Sequence, residues 1–212
     1  KYTNNAFLAT KITFINSISN LCEKIPGANI DDIARAIGLD PRIGPYFLKA
    51  GPGFGGSCLP KDLTSFIHVY KSFDVPSTLL STVKNVNEKQ LEQILRILEN
   101  KLKKISGKTI SILGLSFKEN SDDIRESRSI KLIQSILKKK CTINVFDTLA
   151  LENTKNFFKD KLVYCNSISE CLKNSDCVII MNSEKKFKQI SKQDIQNMRR
   201  QLIIDSRRII EQ

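Results

Sequence analysis

Thr109-Ile110-Ser111-Ile112-Leu113-Gly114-Leu115 is the stretch on which the reading of the fold turns. It is short, rich in β-branched and aliphatic residues and broken by a glycine, which is the pattern of a buried strand. Toward the C-terminus, comparable apolar runs recur at Thr142–Phe146, Leu162–Tyr164, Cys177–Met181 and Leu202–Ile204. Helical spacing over Ser127–Lys139, Leu151–Phe158, Ser167–Lys173 and Lys192–Met198 separates most of them. Strands alternating with helices predict βαβ units and a doubly wound parallel sheet, in which ligands bind beyond the carboxyl ends of the strands.

Toward the N-terminus the period changes. Phe7, Leu8, Ile12, Ile15, Ile18 and Cys22 recur at helical spacing and predict a helix over Tyr2–Lys24. Asn29 can cap a short helix over Ile30–Ile37 that Gly38 ends. A further helix is predicted over Lys61–Phe73. Beyond Val75-Pro76, the positions Leu79, Leu80, Val83, Val86, Leu91, Ile94, Leu95, Leu98 and Leu102 describe one very long helix. Its apolar surface exceeds one narrow stripe, so it is expected to pack on several helices or on a second subunit. Ser106-Gly107-Lys108 closes it. The chain therefore reads as α/β, with an all-helical domain over 1–105 followed by the doubly wound domain over 106–212.

Composition narrows the class. At 212 residues, 41% hydrophobic and with a mean hydropathy of −0.22, the chain can bury a sizeable core, and it contains no run of 18 apolar residues. Neither a membrane span nor a secretory signal is expected. Lys1 opens directly into an amphipathic pattern, as in a piece of a longer polypeptide. The six cysteines (22, 58, 141, 165, 171 and 177) form no CxxC pair, and His68 is the sole histidine, so no metal site is expected. Scattered, unpaired cysteines fit a reduced, cytoplasmic protein. The net charge of +12 comes mainly from lysines spread over several helix ends, with few aromatics among them. That spread reads as solvated faces welcoming an anionic substrate rather than as a nucleic-acid site.

The chemistry concentrates in Gly51-Pro52-Gly53-Phe54-Gly55-Gly56-Ser57-Cys58-Leu59-Pro60-Lys61-Asp62. Glycines allow positive φ and let backbone N–H groups approach a ligand. Pro60 suits a first helical turn, which places Cys58 just ahead of a helix N-terminus and near Lys61, two features that favour a thiolate. A nucleophile, a carboxylate four residues on and backbone donors able to hold an oxyanion make the layout of a covalent acyl-transfer site. The same stretch satisfies G-x-G-x-x-G. A dinucleotide fingerprint, however, needs a strand before it and an acidic residue closing a second strand about 20 residues later. The preceding Ile43–Ala50 is broken by Gly44 and Pro45, and Asp74 follows helix-like sequence, so this reading is rejected.

Four segments in this order resemble the UDP-glucose/GDP-mannose dehydrogenase family over essentially the whole chain: Lys1–Ala9, Gly51–Asp62, Gly114–Lys118 with Asp123–Ser127, and Asp205-Ser206-Arg207. Serine before Cys58 is similar to the UDP-glucose and GDP-mannose branches, where the UDP-N-acetylmannosamine branch typically has histidine. The resemblance implies a helical dimerisation domain and a Rossmann-like UDP-sugar-binding domain, without the N-terminal NAD-binding domain. It implies UDP-glucose as substrate, NAD as cofactor, a homodimer and no nucleic-acid or membrane partner. Cys58 would attack the aldehyde-level carbon, Asp62 would act as base or orient water, and Lys1 and Asn5 would stabilise the oxyanion. Sugar-nucleotide contacts are implied at Arg42 (reaching the neighbouring subunit's substrate), Phe47, Lys49, Gly51, Gly53, Phe54, Gly55, Phe117, Lys118 and Arg207. Arg125 is implied at the NAD pyrophosphate. Arg208 departs from the asparagine often found there in bacterial members. GDP-mannose as substrate, or a binding module without catalysis, are the alternatives.

Overall fold

The structure, a computed structural model, describes residues 1–210. It forms two compact units, Lys1–Gln90 and Leu91–Gln212. The first contains α1 (Tyr2–Cys22), α2 (Ile30–Gly38), α3 (Leu59–Ser72) and the beginning of α4 (Thr78–Leu102). Local signals account for the ends of these helices. The Asn29 side chain accepts the Asp31 N–H at the start of α2, and Asp31 and Asp32 suit its positive end. Pro60 sits in the first turn of α3, where it loses no hydrogen bond.

The buried face of α1 differs from the one its large apolar residues suggest. Ala6 and Ala9 are buried, whereas Phe7 is 65% and Phe14 54% exposed. Small side chains let α1 approach α3 closely, and the core of Ala6, Ala9, Phe54, Leu63, Ile67, Leu80 and Val83 forms around that approach. A second cluster joins Ile15 and Ile30 to Leu48 and Ala50.

The second unit is a five-stranded parallel sheet in the order β3-β2-β1-β4-β5, formed by β1 (Thr109–Leu113), β2 (Thr142–Phe146), β3 (Val163–Tyr164), β4 (Cys177–Ile180) and β5 (Ile203–Asp205). The central β1 pairs Ile110 with Ile143 on one side and with Cys177 on the other. Helices α5 (Arg128–Leu137), α6 (Leu151–Phe158), α7 (Ile168–Leu172) and α8 (Lys192–Gln196) complete it. Because side chains alternate, Ile110 and Ile112 face α5 and the later turns of α4, through Leu91, Ile94, Leu98 and Leu102. Leu113, Val178 and Ile180 face α7 with Phe187 and Met198. Both faces are covered, as a parallel sheet requires. This explains the long apolar run of α4: its first turns serve one core and its later turns another. The two units accordingly divide within α4, at Gln90/Leu91, rather than at 105/106 as the sequence reading has it. Among the described residues no helix is long and apolar enough to cross a membrane, and no group of three or more His, Cys, Asp or Glu is placed to hold a metal ion.

At the start of the sheet, Asp176 is buried and accepts from the Thr109 N–H (2.9 Å), Lys108 Nζ (3.3 Å) and Arg199 Nη1 (2.8 Å). Burial opposes its charge, but these donors outweigh it and hold the carboxyl below its ordinary range. A lowered folded-state pKa stabilises the fold above the unfolded value of about 4 and loses that contribution as pH falls through the folded one. Asp176→Asn is expected to destabilise the chain at neutral pH, the gap from wild type closing below about pH 4 in urea titrations.

Gly114, at φ +90, ends β1, and a Cβ there would lie 2.5 Å from Cγ and 2.8 Å from the backbone N of Asn182. Gly114→Ala is expected to lower stability by at least about 2 kcal/mol, read from the same urea midpoints.

Candidate active site

Cys58 is the N-cap residue of α3 and is exposed, at the end where the unpaired N–H groups of the first turn gather. Its Sγ lies 3.8 Å from Ser57 Oγ. Asp62 follows one turn later, its N–H donating to the Cys58 carbonyl at 2.8 Å, so both side chains leave α3 on one face. Unlike Cys58, Asp62 is wholly buried. Its Oδ2 accepts from Asn5 Nδ2 at 2.7 Å and lies 3.7 Å from Lys1 Nζ. Its Oδ1 is buried with no partner among the described residues. Lys1 and Asn5 share a face of α1, whose first turn is closed by the Asn5 N–H on the Lys1 carbonyl at 3.0 Å. Lys1 and Asn5 thus converge on the buried Asp62 carboxylate, and the exposed Cys58 stands one helical turn before it. Cys58 is also the one exposed cysteine of the six; Cys165, Cys171 and Cys177 are buried, and burial pushes the Cys177 thiol up to about 12.

The glycine loop is bound to the helices around it. Gly53 and Gly56 adopt φ of +102 and +83, conformations that favour glycine. The Gly51 N–H donates to Asn16 Oδ1 at 2.8 Å, and Gln90 Nε2 reaches the Gly51 carbonyl at 3.4 Å. The Phe54 N–H donates to Asn87 Oδ1 (2.8 Å) while Asn87 Nδ2 donates back to the Phe54 carbonyl (3.1 Å). The Phe54 ring is only 6% exposed and belongs to the core. Gly51 and Phe54 are therefore fastened to protein groups, Gly53 turns the chain between them, and Gly55 and Gly56 lead on to Cys58. Sequence reasoning overlooked Asn16, Asn20, Asn87 and Gln90; the available signal was an amide inside an otherwise apolar helical stripe.

Upstream, Leu48 and Ala50 are buried, and the alternating pattern leaves Phe47 and Lys49 exposed. Phe47 holds φ +64, an uncommon value for an aromatic residue. Arg42 is exposed and paired with Asp40, Nη2 to Oδ2 at 2.6 Å; this hydrogen bond holds the Asp40 carboxyl below its usual range.

In the second unit the remaining candidates lie on loops at the carboxyl end of the sheet, where strand order reverses between β1 and β4. Asp147, after β2, accepts the N–H groups of Leu115 (2.6 Å) and Ser116 (3.3 Å). Ser116 Oγ donates to the Lys118 carbonyl (2.7 Å), and Asn182 Nδ2 donates to Ser116 Oγ (3.2 Å). This network shapes the turn that carries Phe117 and Lys118, whose Nζ lies 5.5 Å from the Phe117 ring centroid. Arg207 Nε donates to the Met181 carbonyl at 2.9 Å. Burial of its guanidinium, opposed by Glu119 and Asp205, brings its pKa down to about 10, so it stays charged at neutral pH. Arg125 is exposed and paired with Asp123 at 2.7 Å. Asp147, Ser116 and Asn182 carried no recognisable signal in the sequence.

The family model for the central domain of the UDP-glucose/GDP-mannose dehydrogenase family matches residues 1–89, and that for its UDP binding domain matches residues 111–212. The chain belongs to this family. It is 39% identical over 217 residues to UDP-glucose 6-dehydrogenase of Rickettsia felis, covering 100% of this chain and 48% of that protein. It is 41% identical over 208 residues to UDP-glucose 6-dehydrogenase YwqF of Bacillus subtilis, covering 98% of this chain and 47% of the relative. The fold matches a UDP-glucose dehydrogenase from Pyrobaculum islandicum with a TM-score of 0.92 at 32% identity, over 99% of this chain and 47% of that one. The chain thus spans about half the length of the relatives it matches.

The described residues do not by themselves fit a dinucleotide. No strand precedes Gly51–Gly56, β1 runs into a turn with the single glycine Gly114, and Arg125 alone stands as a candidate contact.

Removing the donor to a buried carboxylate leaves it poorly compensated. Asn5→Ala is expected to destabilise the helical unit by about 1–3 kcal/mol, measured by chemical denaturation of the chain.

Proposed function

We propose that the chain is the central and C-terminal part of an NAD-dependent UDP-glucose 6-dehydrogenase, which oxidises the sugar C6 alcohol to the carboxylate. The observation that carries this reading is the exposed Cys58 thiol at the N-terminus of α3, one turn from Asp62, which Asn5 and Lys1 surround. NAD would accept the hydrides, and Arg125 is the described residue that would contact it, at the pyrophosphate. Cys58 Sγ would add to the C6 carbonyl carbon at the aldehyde level, giving a thiohemiacetal whose oxyanion the Asn5 amide and Lys1 ammonium are suited to stabilise. Oxidation of this adduct would leave a thioester. Water, oriented or deprotonated by Asp62, would then cleave the C–S bond, releasing the acid and returning the thiol. Phe47, Lys49, Phe117, Lys118 and Arg207 would hold the nucleotide sugar, and Arg42 would serve the neighbouring subunit. The exposed lysines are taken as solvated faces, and the protein as cytoplasmic with no nucleic-acid or membrane partner.

A homodimer through the helical unit belongs to the same proposal. Phe7, Phe14 and Leu21 recur every seven residues on α1 and are 65%, 54% and 55% exposed. Such an apolar stripe is suited to cover by a second copy. Phe14→Glu is expected to shift the protein to a monomer in light scattering; an unchanged mass would remove this interface.

The catalytic reading is tested in a full-length protein carrying this chain, offered UDP-glucose and GDP-mannose separately. About two NADH per UDP-glucose are expected, and turnover by Cys58→Ala is expected to fall at least about 10³-fold. Intact turnover in that variant would sink the covalent mechanism, and a preference for GDP-mannose would reassign the substrate. The 212-residue chain alone is expected to reduce no NAD.

A further inference from the structure

We propose that Asn87 and Asn16 are positioning residues for the Cys58 thiol, acting through the backbone of the glycine loop. The proposal rests on the reading of Cys58 as nucleophile. Residues 51–54 lie in neither helix nor strand, yet Pro52, Gly53 and Phe54 are buried, so their backbone polar groups need partners that secondary structure does not supply. Two helices supply them through side-chain amides. Asn87 of α4 takes both polar groups of Phe54, as a neighbouring strand would. Asn16 of α1 takes the Gly51 N–H, and Gln90, one turn beyond Asn87, reaches the Gly51 carbonyl. Asn20, one turn beyond Asn16, orients Gln90 by donating to its Oε1 at 2.8 Å.

This arrangement does more than satisfy a loop. Asn5 and Asn16 are about three turns apart on α1 and share a face. One helix therefore grips Asp62 beyond the cysteine and Gly51 ahead of it. Between Phe54 and Cys58 stand Gly55, Gly56 and Ser57, and neither glycine has a side chain with which to anchor the segment. The thiol's place is thus set by the Phe54 clamp on one side and by the start of α3 on the other. Asn16 Nδ2 is buried without a partner among the described residues. A small apolar side chain would avoid that cost, but would also give up the acceptor for Gly51.

The test uses the full-length protein with Asn87→Asp, which keeps size and acceptor but loses the donor to Phe54, and with Asn16→Ala. Both are expected to melt cooperatively, with kcat reduced by about 10- to 100-fold and the KM for the nucleotide sugar changed less than about threefold. Iodoacetamide labelling of Cys58, located by peptide mass, is expected to slow at least about threefold, because its rate depends on the thiol's surroundings. Labelling at the wild-type rate overturns the proposal, whatever happens to turnover. If the wild-type protein oxidises neither sugar, the functional reading fails and labelling alone decides the positioning role. If both variants unfold, Gln90→Ala, at the other edge of the clamp, is judged by the same labelling criterion.

Discussion

The helical unit depends on the close approach of α1 to α3, and that approach depends on Ala6 and Ala9. Both are buried in the core shared with Leu63 and Ile67. Larger residues there would hold the helices apart, and Asn5 could no longer reach Asp62 at 2.7 Å. The polar centre is thus a consequence of apolar packing. A carboxylate as buried as Asp62 is tolerated because an amide donor and an ammonium lie on the facing helix. Its Oδ1 is buried without a partner among the described residues.

The two units solve the same problem with different means. Each must hold an irregular loop in place where regular hydrogen bonding ends. The helical unit does so with neutral amides, Asn16, Asn87 and Gln90. The sheet unit uses a buried carboxylate, Asp147, which accepts four backbone N–H groups, those of Leu115, Ser116, Leu149 and Ala150. A carboxylate suits strand ends, where several donors point the same way. An amide suits Phe54, which offers both a donor and an acceptor.

Much of this was legible in the sequence. Thr142–Phe146 and Leu151–Phe158 fall within the boundaries that periodicity predicts, because strand and helix periods there are uninterrupted. Asn29 caps α2 as its position suggests. Cys58, Asp62, Lys1 and Asn5 stood out through spacing, glycine context and family resemblance; Asn5 and Lys1 lie against Asp62, and Cys58 caps the same helix. The helix over α1 was legible but its buried face was not, because periodicity reports which residues are apolar and not which apolar face is covered within one subunit. The division into two compact units within α4 gave no local sign, since α4 is helical throughout while Leu80 and Val83 serve one core and Leu91 and Ile94 another.

The sequence by itself determined the elements, the parallel α/β class of the second half and the residues able to do chemistry, because these follow from local periodicity and from side-chain type. Only the tertiary structure decided which groups meet. The pairing of Asn5 with Asp62 spans 57 residues and that of Asn87 with Phe54 spans 33. Such contacts arise from how helices pack, and helix packing depends on side-chain volume at distant positions rather than on the pattern within any one segment.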